Sequence, residues 1–397
     1  MRILEINKYY YKRRGAEIYM MAVMDALQEL GHETAIFSMA HPHNLETSWE
    51  KYFVDYLDTE HLHWGQIPKY VARAFWSRQA YMRVRAMIDE FHPDIAHVHN
   101  VYTHLSPSVL QGCASMGVPV VLTLHDYGLV SGNYALWNGN QSMFPDHMGF
   151  WDIIRSRYIK GSMVATGMLE IISRLHRYFG MYDRYIDQYV AVSGAVRDVL
   201  VWSGVNANKI TVLHNFAEVE GMPRADMPKG FFYYGALEAN KGISTLLKAA
   251  QDINEPVYVA GRGPLQAQVE RAGGSIEYLG VLSLQEIMAR LATVRAAVFP
   301  SLSREVYSTA ALEALLVGTP VIVSDAGGFK EMVHDGEFGN VFRAGYSDEL
   351  RATMEFVLTH QDLVEARARV AANWLREHEG KDAHMRKLTH IFEQVVE

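Results

Sequence analysis

Two glutamates, Glu305 and Glu313, stand with seven residues between them in the stretch Ala296 to Gly328, AAVFPSLSREVYSTAALEALLVGTPVIVSDAGG. A carboxylate can accept hydrogen bonds from hydroxyls or act on a proton, and its surroundings decide which. Glu313 falls among Ala and Leu on a predicted helix. Burying it unpaired would be costly, so it must reach either solvent, on an exposed strip, or a hydroxyl-rich ligand. The helix start favours the ligand, because Ser308-Thr309-Ala310 offers free amides and the positive end of the helix dipole to a phosphate.

The elements that position these residues follow from the same stretch. Ala296 to Phe299 is short, apolar and closed by Pro300, which suits a buried parallel strand. Ser308 or Thr309 can cap a helix running through Leu312, Leu315 and Leu316, and Gly318 with Pro320 ends it. Pro320 to Val323 is a second strand, and its SDAGG loop carries paired glycines where backbone must approach closely. In such a β-loop-α-β unit the loop SLSREVY lies at the carboxyl end of a strand, where open α/β sheets bind ligands.

These residues resemble the retaining family-4 glycosyltransferases of the GT-B fold. The signature is Glu, seven residues, Glu, a Gly-Thr-Pro-Val run and a Gly-Gly-x-x-Glu turn, here Gly327-Gly328-Phe329-Lys330-Glu331. The resemblance implies an α/β protein of two Rossmann-like doubly wound domains facing across a cleft. It also implies that Glu305 contacts the donor sugar near its reacting carbon and that Glu313 holds the ribose hydroxyls, with Tyr307, Ser308 and Thr309 on the donor side. The family often has Glu-Pro-Phe-Gly where this chain has Glu305-Val306-Tyr307-Ser308, so a less tight loop with altered sugar contacts is expected.

Composition sets the bounds. With 397 residues, 49% of them hydrophobic, the chain can bury two substantial cores. A formal net charge of -8 argues against nucleic-acid binding, which wants a basic surface. Cys113 is the single cysteine, which excludes an intramolecular disulfide and any all-cysteine metal site and points to a reducing compartment. The start, MRILEINKYY, reads as a first strand rather than a signal peptide. No run approaches the roughly twenty apolar residues of a spanning helix. A cytoplasmic protein is expected, at most peripheral on the inner face of the cell membrane.

Along the chain, Arg2 to Ile6, a loop and an amphipathic helix through Met20, Val23, Leu27 and Leu30 open a doubly wound sheet. Where the family has Gly-Gly-Ala-Glu, this chain has Arg14-Gly15-Ala16-Glu17. The resemblance places the Gly15 and Ala16 amides beside the donor diphosphate. Gln66 to Arg85 carries five Lys and Arg, no acid and many aromatics, and reads as one helical stretch. It suits either an anionic membrane surface or a helix packing its aromatics inward. Phe150 to Tyr185 is a second region dense in aromatics and arginines, with helical apolar spacing at Met168, Ile171, Ile172 and Leu175. The two together could form one basic, apolar face that a lipid-linked acceptor, or plain core packing, would explain.

Pro119 to Leu124 is an apolar strand ending in His125-Asp126. A histidine there faces the cleft, and by resemblance His125 contacts the donor sugar; alternatively it is a structural histidine bonded to backbone. The turn-rich loop Asn133 to Asn140 is read as hanging over the same cleft. A strand from Ile210 to Leu213 closes on His214-Asn215, and the family has a comparable Asn at the domain exit, which puts Asn215 on the donor side. Residues 218–230, with two prolines and two glycines, make the best linker. The expected organisation is 1–217, completed by a final helix in 376–397, as an acceptor-binding domain, then 231–375 as a nucleotide-sugar-binding domain.

In the second domain a strand from Phe231 leads to Gly235 and then to Lys241-Gly242 at a helix start, which suits a diphosphate. By resemblance Lys241 binds it. The family usually has arginine at the position of Ala236, so either Arg14, Arg262 or Arg304 compensates or the phosphate is held more weakly. The turn Gly261-Arg262-Gly263 resembles the family's Gly-x-Gly turn and lacks the third glycine of a dinucleotide fingerprint. After Ser347 the chain reads as helical to its end.

No Asp-x-Asp pair occurs, so the metal clamp of the other large glycosyltransferase fold has no candidate, and cations with helix N-termini must neutralise a leaving diphosphate. The expected activity is transfer of a sugar from a UDP- or GDP-sugar, with retention and without metal or other cofactor. The acceptor would be a glycan or lipid-linked saccharide of cell-surface polysaccharide synthesis. The rival readings are a nucleotide-sugar 2-epimerase of the same architecture and a nucleotide-sugar-binding subunit that has lost catalysis.

Overall fold

The computed structural model describes residues 1–58, 65, 67–219 and 222–397. Gln66 of the basic stretch and Glu220 and Gly221 of the expected linker lie outside the described residues. The chain divides into two compact units. One holds Met1–Ala135, His147–Leu213 and Met385–Glu397, the other Leu136–Asp146 and His214–His384.

The first unit runs β1 (Arg2–Ile6), α1 (Gly15–Glu29), β2 (Glu33–Phe37), α2 (Ile67–Phe75), α3 (Arg78–Phe91), β3 (Ile95–Val98), α4 (Ser108–Ser115), β4 (Val120–Leu124), α5 (Phe150–Arg155), α6 (Met163–Tyr178), β5 (Gln188–Ala191), α7 (Gly194–Trp202) and β6 (Ile210–Val212). Its six strands are all parallel, in the order β2-β1-β3-β4-β5-β6. The inner strands β3 and β4 are buried at every residue and apolar except for His97 and Thr123, as a parallel sheet covered on both faces favours. The stretch 67–85 is two helices rather than one. Ser77 breaks it by accepting the Ala80 N–H at 3.2 Å as the N-cap of α3.

The second unit runs β7 (Phe231–Tyr234), α8 (Ile243–Ala249), β8 (Val257–Ala260), α9 (Gln266–Glu270), β9 (Ile276–Gly280), α10 (Leu284–Thr293), β10 (Ala296–Phe299), α11 (Thr309–Val317), β11 (Val321–Ser324), α12 (Phe329–Met332), β12 (Asn340–Phe342), α13 (Ser347–Thr359) and α14 (Gln361–His378). The parallel order is β12-β11-β10-β7-β8-β9, so the sequence direction reverses between β7 and β10. Phe231, Val257, Val298 and Ile322 on the strands pack with Leu246, Leu350 and Met354 on the helices into one core. A last helix, α15 (Lys381–Val396), starts in the second unit and belongs from Met385 onward to the first, where Phe392 meets His97 with ring centroids 5.2 Å apart.

The stretch 218–230 is no free linker. From Arg224 onward it is fastened along the second unit: Arg224 donates to the Leu291 and Val294 carbonyls at 2.6 and 2.8 Å and pairs with Glu365 at 2.5 Å. The Ala225 and Lys229 amides donate to Ala292 and Thr293 at 2.9 Å. Backbone bonding of this kind is invisible to a reading based on prolines and glycines.

Candidate active site

The loops that leave β7 and β10 flank the reversal point of the second sheet, where an open α/β sheet holds its ligand. They are fastened to each other through Asn240. Its carbonyl accepts the Leu302 and Ser303 amides at 2.7 and 3.1 Å. Gly242 makes that approach feasible: it is left-handed, with φ 73°, and a Cβ there would stand 1.8 Å from the Pro300 carbonyl oxygen.

With the loops so joined, Lys241 Nζ donates to Glu305 Oε1 at 2.6 Å, and the Ser301 hydroxyl donates to the same oxygen at 2.6 Å. Glu305 is also held through its backbone. It bridges Gly327 in parallel, and its carbonyl accepts the Gly328 amide at 2.9 Å. A Cβ on Gly327 would lie 2.2 Å from that carbonyl, which is why a glycine stands at 327. The carboxylate is therefore fixed by loops that leave β7, β10 and β11.

Glu313 lies one turn into α11, neither on an exposed strip nor in the core. Its hydrogen-bond partner is Tyr234, at the end of β7, whose phenol donates to the Ala310 carbonyl at 2.5 Å and leans on Glu313 Oε2 at 3.3 Å. Burial pushes the Glu313 carboxyl up to about 7, against a smaller opposing effect of the Tyr234 contact. It is thus an under-satisfied acceptor beside a helix start. Ser308 is the residue that caps that start, accepting the Ala311 amide at 3.3 Å, and Thr309 is the first helical residue.

Gly235 and Arg262 are exposed, on the turns after β7 and β8, and Arg304 stacks its guanidinium 4.6 Å above the Phe144 ring. The Asn215 side-chain oxygen is buried and has no hydrogen-bond partner. Tyr307 is buried, its hydroxyl donating to Glu379 at 2.7 Å and its ring stacked on His214 with centroids 4.7 Å apart. His214 in turn bonds Glu379 through Nδ1 and Glu331 through Nε2, both at 2.6 Å. Burial works to lower the His214 pKa, and the two carboxylates overcome it and bring the ring up to about 9. The loop that departs from the family pattern is held by this cluster and is not slack.

In the first unit, His125 follows β4, and Arg14, Gly15 and Ala16 form the start of α1, with Arg14 at the N-cap and the amides behind it without an intrahelical acceptor. His125 is the end of a buried relay. Glu5 on β1 and His97 on β3 are register partners, and residues two apart on a strand share a face, so His97 and His99 line up beside Glu5, with Thr123 and His125 of the next strand and its end against the two histidines. His97 Nδ1 donates to Glu5 Oε1 at 3.0 Å, and His99 Nε2 donates to Glu5 Oε2 at 2.9 Å. Burial works to raise the Glu5 carboxyl, but the imidazoles bring it down to about 2. Burial and the neighbouring His97 lower His99 to about 4. A neutral His99 that donates from Nε2 must accept at Nδ1, so His125 Nε2 donates to it across 3.0 Å. Burial and the two histidines hold His125 well below its ordinary value, which leaves its Nδ1 as an acceptor.

Glu5, His97 and His99 are the one group among the described residues whose ligand atoms lie close enough together to hold a metal ion, and each already satisfies another by hydrogen bonding. The sequence reading missed them, although the His-x-His spacing at strand period was a usable signal. It also missed Tyr234, Asn240, Ser301, His214 and Glu379, which only tertiary contact identifies. The cleft lined by Ser244, Lys248, Gln268 and Arg271 opens at the amino end of β9, away from the loops above.

A family profile described as Glycosyltransferase Family 4 matches residues 13–220, and one described as Glycosyl transferases group 1 matches residues 217–374. Among curated relatives, a phosphatidyl-myo-inositol mannosyltransferase of Mycobacterium leprae is 27% identical over 186 residues, covering 45% of this chain and 48% of the relative. A D-rhamnosyltransferase of Pseudomonas aeruginosa is 30% identical over 151 residues, covering 36% of this chain and 40% of the relative. The chain thus spans half or less of the length of these two relatives. Among solved structures, an Anabaena protein in complex with UDP and glucose superposes with a TM-score of 0.70 at 15% identity, covering 99% of this chain and 100% of that one, a likeness of fold. The first profile spans more than half of the chain, and with two parallel six-stranded α/β units of GT-B type the chain belongs to glycosyltransferase family 4.

Proposed function

We propose that this protein is a retaining glycosyltransferase that moves a sugar from a nucleoside-diphosphate donor to a hydroxyl of a glycan or lipid-linked saccharide in cell-surface polysaccharide synthesis. The observation that carries the reading is the Lys241–Glu305 pair at 2.6 Å on the reversal point of the second sheet. A cation and a carboxylate that neutralise each other in the free protein are set to separate when a diphosphate claims the lysine and a sugar ring the glutamate.

The remaining roles follow. Glu313 accepts from the ribose hydroxyls, and the free amides behind Ser308 and Thr309, with Gly235, meet the phosphates. Asn215, whose side-chain oxygen is buried and unpartnered, lies on the donor side, where Tyr307 acts by holding the loop. Arg262 and Arg304, and Arg14 of the first unit, are the candidates to supply the cation missing at Ala236. Gly15 and Ala16 offer amides to the diphosphate, and His125, an acceptor at Nδ1, takes a hydrogen bond from a donor-sugar hydroxyl. Departure of the diphosphate builds oxocarbenium character on the sugar, and a departing phosphate oxygen takes the proton of the acceptor hydroxyl on the same face. Metal is not required, since lysine and helix amides carry the leaving charge.

The test is calorimetric titration with UDP, GDP, ADP and their sugar conjugates in the presence of chelator, repeated on Lys241→Ala. It is followed by NMR of the anomeric proton of the transferred sugar. Selective binding of one nucleotide that is lost in the variant, with a product of unchanged anomeric configuration, is expected. Absence of binding to every nucleotide, or an inverted product, overturns the reading.

A further inference from the structure

Helix α6 is inside out. Its buried residues are Thr166, Gly167, Glu170, Ile172, Ser173 and His176, so all but one are polar or lack a side chain. They are partnered. Glu170 Oε2 accepts the Ser131 hydroxyl and the Gly132 amide at 3.0 and 3.1 Å, Thr166 donates to the Ser162 carbonyl at 2.8 Å, and His176 Nε2 donates to the Phe75 carbonyl at 2.9 Å. The solvent side carries Val164, Ile171, Leu175 and Tyr178, with 69%, 47%, 37% and 83% of their surface exposed. Their spacing of seven, four and three residues keeps them on one stripe of the helix. Trp151 on α5, which packs against α6, adds a large exposed ring, and Phe179 extends the stripe at its end. An ordinary surface helix points its apolar stripe at the core; this one points it outward.

The surroundings are cationic. Arg155, Arg157 and Lys160 are exposed between α5 and α6, and Arg174 and Arg177 flank the stripe. Between residues 155 and 179 the single acid is Glu170, which is buried and paired with Arg174 at 2.7 Å. The chain as a whole is acidic, with a formal charge of -8, so this face is locally opposite in sign. Among the described residues no helix is long and apolar enough to cross a membrane.

We propose that the outward face of α6, with Trp151 and the basic residues beside it, docks on the surface of an anionic phospholipid bilayer. Apolar side chains entering the headgroup boundary while arginines and lysine meet lipid phosphates is the binding mode of an interfacial amphipathic helix. A second copy of the chain is the poorer occupant, because a two-fold contact would set this cationic patch against itself. The inference stands apart from the transfer chemistry: it concerns one face of the first unit and needs no substrate.

The experiment is co-sedimentation of the full chain with phosphatidylcholine vesicles, with and without phosphatidylglycerol, at low and high salt. The variants are Ile171→Ser with Tyr178→Ser, and Arg155→Glu with Lys160→Glu. All positions are exposed, and unchanged circular dichroism together with unchanged melting identifies folded variants. Binding only to the vesicles with phosphatidylglycerol, lost at high salt and weakened about tenfold or more in both double variants, is the expected result. Equal binding to both vesicle types, or none to either, overturns the proposal. So does a concentration-dependent dimer that dissociates in the Ile171→Ser, Tyr178→Ser variant, since the stripe would then be covered by a second copy.

Discussion

Glu313 is a residue whose environment works against stability. Its carboxyl rises from the ordinary 4.5 to about 7 because burial disfavours the charge. The folded protein therefore binds this proton more tightly than the unfolded chain. The resulting penalty is absent below about pH 4.5, grows as pH rises to about 7 and is constant above, at about 3 kcal/mol. Glu313→Gln should remove that penalty, raising the melting temperature at pH 8 while leaving it unchanged at pH 4. The same change should weaken nucleotide binding by about 2 kcal/mol, some thirtyfold, by taking a charged acceptor from the ribose. On the proposed ribose contact the hydroxyls donate to the ionised form, so wild-type affinity should rise with pH up to about 7 and then level off. A variant that neither melts later at pH 8 nor binds more weakly would place Glu313 outside the site. The relay from Glu5 to His125 belongs to this scale too: sequence showed His125 at a strand end, but its tautomer is dictated by Glu5, distant in the chain and adjacent in the sheet.

Loops and helix ends are where this sequence misleads most. Substituting Val-Tyr-Ser for the family's Pro-Phe-Gly removes a rigid residue, which reads as loosening. Tyr307 instead carries its hydroxyl to Glu379 at the end of α14 and its ring onto His214, and His214 ties Glu379 to Glu331 on α12. The His214 pKa is raised from 6.5 to about 9. Its stabilisation is thus fully present below about pH 6.5 and is lost as pH rises through about 9, an effect of about 3 kcal/mol at most. Denaturant unfolding of the wild type between pH 6.5 and 10 should show this decline, and His214→Gln should abolish it and lower stability at pH 6.5. A wild-type stability that is flat across that range would dismiss the charged cluster. Tyr307→Phe keeps the stacked ring and loses only the hydroxyl contact, so it should cost less, about 1 kcal/mol.

At the scale of the molecule, two parallel sheets each enclose their own core, and the proposed donor groups of the second unit come from loops at one edge of one sheet. A ligand that binds only the folded protein stabilises it by mass action. At a hundred times its dissociation constant the chosen nucleotide should add about 2.7 kcal/mol to unfolding, seen as a later melting transition, and should add nothing in Lys241→Ala. A shift that persists in that variant would mean that the nucleotide binds elsewhere. The sequence by itself determined the α/β class, the alternation of apolar strands with helices, the capped helix carrying Glu313 and the glycine positions, because periodicity, caps and left-handed turns act over a few residues. Only the tertiary structure decided which partner each charge has. Lys241 on Glu305, His214 between Glu331 and Glu379, Glu5 beneath two histidines and the outward turn of α6 all depend on chain segments far apart in sequence. Distance-dependent interactions such as hydrogen bonds, ion pairs and burial are set by the fold's juxtapositions, and no local pattern encodes them.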